Sequence, residues 1–174
     1  VRFNAPRCRS FNFRPVSCVQ LNVHNTHPDP FAFYMPNGTA TTLSVTGGRG
    51  VRLGGSATAT TLRISHSGDP GVDPPMVVSE AGASTPTVWI SAGQFRAGAL
   101  PTTAMYVSGG EVILESTTAA TLTNIYIFRG GVVRYNAKSA TITNVYVQSG
   151  GHFDASQDAT KKTITTAYVE PGGI

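Results

Sequence analysis

Apolar and polar positions alternate along most of this chain, and the alternation comes in packets that repeat. Met105-Tyr-Val-Ser-Gly-Gly110, Ile125-Tyr-Ile-Phe-Arg-Gly-Gly131, Val145-Tyr-Val-Gln-Ser-Gly-Gly151 and Ala167-Tyr-Val-Glu-Pro-Gly-Gly173 are four copies of one pattern. Their tyrosines, Tyr106, Tyr126, Tyr146 and Tyr168, follow one another at intervals of 20, 20 and 22 residues. The pattern reaches back through Val88-Trp89-Ile90, Leu62-Arg63-Ile64 and Leu43-Ser44-Val45, which makes about seven copies. Alternation with period two predicts strands, and the recurring glycine pairs predict sharp corners between them. A unit of about 20 residues is too small to bury its own apolar face and must stack on copies of itself. The predicted fold is all-β: a single-stranded parallel β-helix, or β-solenoid, of about seven coils over residues 41–174, preceded by an irregular N-terminal arm over residues 1–40.

The alternation also sets which side chains face out. Val145 and Val147 point inward with Ile142, so Tyr146 points outward. The same logic puts Trp89, Tyr106, Tyr126, Tyr146 and Tyr168 in one outward column. An exposed aromatic row reads as a subunit interface, as a platform for sugars, or as rings stacking on one another between coils. Asn124 and Asn144 fall at the same corner of successive coils and predict a hydrogen-bonded amide stack. Three Thr-x-Thr pairs, Thr121/Thr123, Thr141/Thr143 and Thr163/Thr165, resemble the arrays of ice-binding β-solenoids, but they cover only three coils and threonine is a common strand residue. Residues 69–86, rich in Pro and Gly, predict a loop inserted into one coil.

Charge changes the picture at the N-terminus. Of 174 residues only 13% are charged, against about 25% in an ordinary globular protein. The net charge is +4, and residues 1–40 hold Arg2, Arg7, Arg9 and Arg14 against Asp29 alone. These arginines lie among Phe3, Phe11 and Phe13, an adhesive rather than a linker-like composition. They belong to no recognised nucleic-acid motif, which favours an acidic protein surface over nucleic acid. Cys8 and Cys18 are too few for a disulfide framework. No apolar run is long enough to span a membrane, and the first residues do not read as a secretory leader.

Candidate chemistry is thin. The neighbouring acids Glu111/Glu115 and Asp154/Asp158 have no partner carboxylate at the matching positions of the next coil, so the acid pairs of polysaccharide-cleaving solenoids are not predicted. His24, His27 and Asp29 lie close together but lack a fourth ligand from another element. No nucleotide-binding or nucleophile motif occurs. The sequence predicts a non-enzyme without cofactor or metal.

A short β-helix with Gly-Gly corners, Thr-rich strands and a basic, aromatic arm resembles the β-solenoid virion proteins of tailed bacteriophages, of the capsid cement or decoration type and more distantly the tailspike β-helices. The resemblance rests on the repeat pattern of residues 41–174. It implies a structural protein on the capsid exterior, a homotrimer that binds the major capsid protein through Arg2, Phe3, Arg7, Arg9, Phe11, Phe13 and Arg14. A tail fibre or tailspike fragment, or a carbohydrate-binding adhesin module that uses the aromatic column, is the alternative it leaves open.

Overall fold

A computed structural model describes residues 2–4, 10–12, 17–24, 32–47, 50–68, 72–137, 140–157 and 162–174. Strands alternate with turns from end to end. The first are β1 (Arg2–Asn4), β2 (Ser10–Asn12), β3 (Ser17–His24), β4 (Ala32–Met35), β5 (Thr39–Gly47) and β6 (Val51–Leu53). Next come β7 (Thr58–Ile64), β8 (Met76–Ser79), β9 (Thr87–Ile90), β10 (Gln94–Ala97), β11 (Ala104–Val107) and β12 (Gly110–Leu114). The last are β13 (Ala120–Ile127), β14 (Gly131–Tyr135), β15 (Ala140–Val147), β16 (His152–Asp154) and β17 (Thr163–Val169).

Odd-numbered strands form one nine-stranded sheet in chain order, and even-numbered strands form an eight-stranded sheet. Each strand pairs in parallel with the strand two places along the chain. That is the topology of a β-solenoid, in which each coil lends one strand to each sheet. The predicted seven coils run from Thr39 to the C-terminus.

Register follows the sequence pattern. Val23, Val45, Ile64, Ile90, Val107, Ile127, Val147 and Val169 make one column of the nine-stranded sheet. All but Val169 are buried. Across the core, Phe33, Val51, Val77, Phe95, Val112 and Val133 are the inward column of the eight-stranded sheet. The buried Tyr135 phenol donates to the backbone carbonyl of Ala140. Its removal from water holds its pKa above the usual tyrosine range.

Two predicted boundaries move. Residues 1–40 are not wholly an arm, because β3 pairs with β5 and β4 with β6. Leu21 and Val23 are buried in the same core as the later coils. Alternation in Leu21-Asn22-Val23 and Phe33-Tyr34-Met35 continues the repeat without its Gly-Gly corners. Residues 69–86 are likewise not one loop. Met76–Ser79 forms β8, with Val77 and Ser79 pointing inward, and the buried Ser79 hydroxyl donates to Ala99 O at 3.1 Å. Among the described residues no helix is long and apolar enough to cross a membrane.

Candidate functional site

The aromatic column is the most developed surface feature. Trp89, Tyr106, Tyr126, Tyr146 and Tyr168 are register partners in five successive strands. Parallel in-register pairing sets them one strand spacing apart, about 4.8 Å, which is also a stacking distance for aromatic rings. The ring centroids are 3.8, 5.0, 4.8 and 4.9 Å apart from Trp89 to Tyr168, and neighbouring planes are within 10° of parallel. At one end the Arg63 guanidinium lies over the Trp89 ring, 5.7 Å from its centroid. The column is thus a continuous stack capped by a cation.

That geometry decides what the column offers to a partner. Rings of Tyr106, Tyr126 and Tyr146 are covered on both faces by their neighbours, so they present edges and hydroxyls outward. A sugar that stacks on a ring face finds no free face along the middle of the column. Trp89 (40% exposed) is covered by Arg63 and Tyr106, and Tyr168 (55% exposed) is stacked on one side by Tyr146. Partial burial, and then the neighbouring Tyr126 and Tyr168, push the Tyr146 phenol up in pKa, so it stays neutral and able to donate.

At the corner, Asn144 Nδ2 donates to Asn124 Oδ1 at 2.9 Å, and Thr166 occupies the next position of that column. The amide stack predicted from the sequence is present. Of the Thr-x-Thr pairs, Thr121, Thr123, Thr163 and Thr165 are exposed, whereas Thr141 and Thr143 are half-buried.

The outer face of the eight-stranded sheet carries charge in an arrangement that spacing alone did not reveal. Arg134 lies between two acids, with Nε 2.5 Å from Glu111 Oε1 and a terminal nitrogen 3.4 Å from Asp154 Oδ2. Gln94 Nε2 donates to the other Glu111 oxygen at 2.7 Å. Arg96 grips Glu115 through two nitrogens at 2.7 and 3.1 Å, and Arg52 pairs with Glu80. Each pair links different coils, so these carboxylates fasten the rod.

The same contacts tune the acids. Hydrogen bonding to Arg134 holds the Glu111 carboxyl below the usual carboxylate range. Hydrogen bonds from the Ser156 hydroxyl and backbone N–H, with help from Gln157 and Arg134, bring Asp154 down to about 2. A general acid at neutral pH needs the opposite shift. Both carboxyls therefore stabilise the fold above their unfolded pKa values of about 3.9–4.3 and lose that contribution as pH falls toward 2. Melting temperature should be level from pH 7 to 5 and should fall between pH 4 and 2. A level profile down to pH 2 would contradict these assignments.

The remaining predicted residues separate into two groups. Arg2 and Phe3 are in β1 and Phe11 is in β2, at the N-terminal edges of the two sheets. Arg7, Arg9, Phe13, Arg14, Cys8, His27 and Asp29 lie outside the described residues. Cys18 is half-buried in β3, and His24 Nδ1 is 3.0 Å from the Thr46 hydroxyl. Among the described residues no three His, Cys, Asp or Glu side chains gather as metal ligands.

One site was missed from the sequence. Where the ring stack ends at Arg63, a cavity of about 200 Å³ opens between Arg63, Ile64, Ser65, Trp89, Ile90, Ser91 and Ser108. Its polar lining comes from the residue after each apolar-x-apolar strand, which is serine in three successive coils. The backbone N–H groups of Ser65, Ser91 and Ser108 donate to Val45, Ile64 and Ile90 at 2.9–3.0 Å, which fixes all three serines on the wall. No family model matches this chain, and neither a curated protein nor a solved structure matches it.

Proposed function

We propose that this protein is a structural component of a phage virion, a cement protein that decorates and stabilises the head shell. The observation that carries the reading is where the reactive side chains are directed. Aromatic rings stack on rings, amides bond to amides, and Glu80, Glu111, Glu115 and Asp154 are held by arginines of other coils. Such a surface makes a stiff rod with little chemistry left to offer. In this reading the basic segment from Arg2 to Arg14 anchors the rod to an acidic capsid surface, and the ring edges and hydroxyls of the aromatic column pack against sister rods in a homotrimer.

A ligand that binds only the assembled shell stabilises it by mass action. Particles stripped of the protein should release their DNA at lower temperature than decorated ones, and adding the purified full chain back should restore the difference. Equal release from stripped and decorated particles, or sedimentation of the purified chain as a stable monomer, would overturn the cement and trimer readings respectively. The tail-fibre or adhesin reading draws on a different observation, the cavity beside Trp89.

A further inference from the structure

The cavity at the capped end of the ring stack combines three features that the rest of the surface keeps apart. The first is an unneutralised cation. Arg52, Arg96 and Arg134 are each paired with an acid, whereas Arg63 has no ion pair among the described residues and no acid lines the cavity. Its guanidinium is held by Trp89 instead, and lying over a ring leaves its in-plane N–H groups free to bond.

The second feature is a set of hydroxyls. Ser65, Ser91 and Ser108 line one wall. Only the Ser108 hydroxyl has a partner among the described residues, donating to Ile90 O at 3.4 Å. Serine hydroxyls both donate and accept, as sugar hydroxyls do. The third is size. Drug-sized ligands fill about 300–1,000 Å³, so about 200 Å³ admits one ring-sized group. The exposed Trp89 edge supplies apolar contact for its C–H faces.

We propose that this cavity binds a single sugar residue bearing a carboxylate, a unit of an acidic polysaccharide. The guanidinium takes the carboxylate through two parallel N–H donors, the serines exchange hydrogen bonds with the ring hydroxyls, and the tryptophan edge packs on the ring carbons. A bare anion would use only the first of these contacts, and a neutral sugar only the other two. The site belongs to the purified chain and stands whether or not the rod decorates a head.

Trp89 is the only tryptophan of the chain, so its emission reports this cavity alone. Titration of the full-length protein with galacturonic acid at constant ionic strength should change that emission saturably, in the millimolar range expected of one small ligand. Galactose, acetate and inorganic phosphate should not. Arg63→Gln should raise the half-saturation concentration at least tenfold, in line with loss of a charge-assisted hydrogen bond, and Ser91→Ala by about 2–10-fold. Both side chains are exposed, so melting temperatures should stay within about 1 °C of the parent. An equal response to acetate or phosphate would reduce the site to a simple anion contact and overturn the sugar assignment. No response to galacturonic acid, or an unchanged titration in Arg63→Gln, would overturn the site itself.

Discussion

Gly110→Ala is expected to destabilise the rod by about 3 kcal/mol and to lower its melting temperature by about 6–12 °C. Gly110 has φ +73°, where an L side chain alone costs about 1–2 kcal/mol. The added methyl would also sit 2.4 Å from the carbonyl oxygen of Gly93 and 2.9 Å from Gly93 N and Ala92 C. All three are backbone atoms of the coil beneath, and they are fixed by the bonds that stack the coils. Glu111 N, the next residue, already donates to Gly93 O at 2.9 Å, so relief of the clash would break coil pairing. Gly68 separates the two contributions. Its φ is +81°, but a methyl there meets nothing within 4 Å, so Gly68→Ala should cost only the backbone strain, about 1 kcal/mol. Equal losses from the two substitutions, read by thermal unfolding, would show that corner crowding contributes nothing.

The second large effect is expected at the middle of the core. Phe95 is fully buried in β10, with Val77 below it and Val112 above it in the same inward column. Phe95→Ala removes a large ring from a layer that neighbouring coils cannot fill without losing register, so the expected cost is about 3–5 kcal/mol. Solenoid stability is close to a sum of repeat and nearest-neighbour interface contributions. The loss should therefore fall on the central coils, and denaturant unfolding should resolve into two transitions where the parent shows one. Phe153 occupies the same column at its C-terminal end but is only half-buried, and Phe153→Ala should cost less. A smaller effect at Phe95 than at Phe153 would refute this account of the core.

Both sites are legible in the sequence because the repeat is strict there. From Trp89 onward each coil shows an apolar-aromatic-apolar strand and a glycine turn, and that is enough to derive the inward columns, the ring stack and the Asn124–Asn144 bond. Earlier coils are harder to read. The outward column holds Asn22, Ser44 and Arg63 where later coils hold aromatics, and the sequence between β3 and β4 contains no glycine. Before Leu43 the alternation in Leu21-Asn22-Val23 and Phe33-Tyr34-Met35 is the signal that survives. Pro74 and Pro75 concealed β8 in the same way, since a strand may begin directly after a proline that lacks a donor to offer.

The charged face fails for a different reason. Arg134 meets Glu111 across 23 residues, Arg96 meets Glu115 across 19 and Arg52 meets Glu80 across 28. Unequal coil lengths scramble such spacings, so no single period finds them. The Arg63 cavity had one signal, a basic residue in the column that later holds rings, and it gains meaning only once the register is known.

Because every strand runs across the rod and every bond between coils runs along it, tension applied to the two ends loads the joints in series. The joint with the fewest bonds then sets the breaking strength of the whole. Between β13 and β15 seven residue pairs share the load, with three more between β14 and β16. The coil of β9 and β10 is held by four pairs in each sheet on either side. The end joints are thinner still among the described residues, with three pairs in each sheet at the N-terminal end and six pairs between β15 and β17, so a rod pulled lengthwise sheds its end coils first while the middle stays a folded stack.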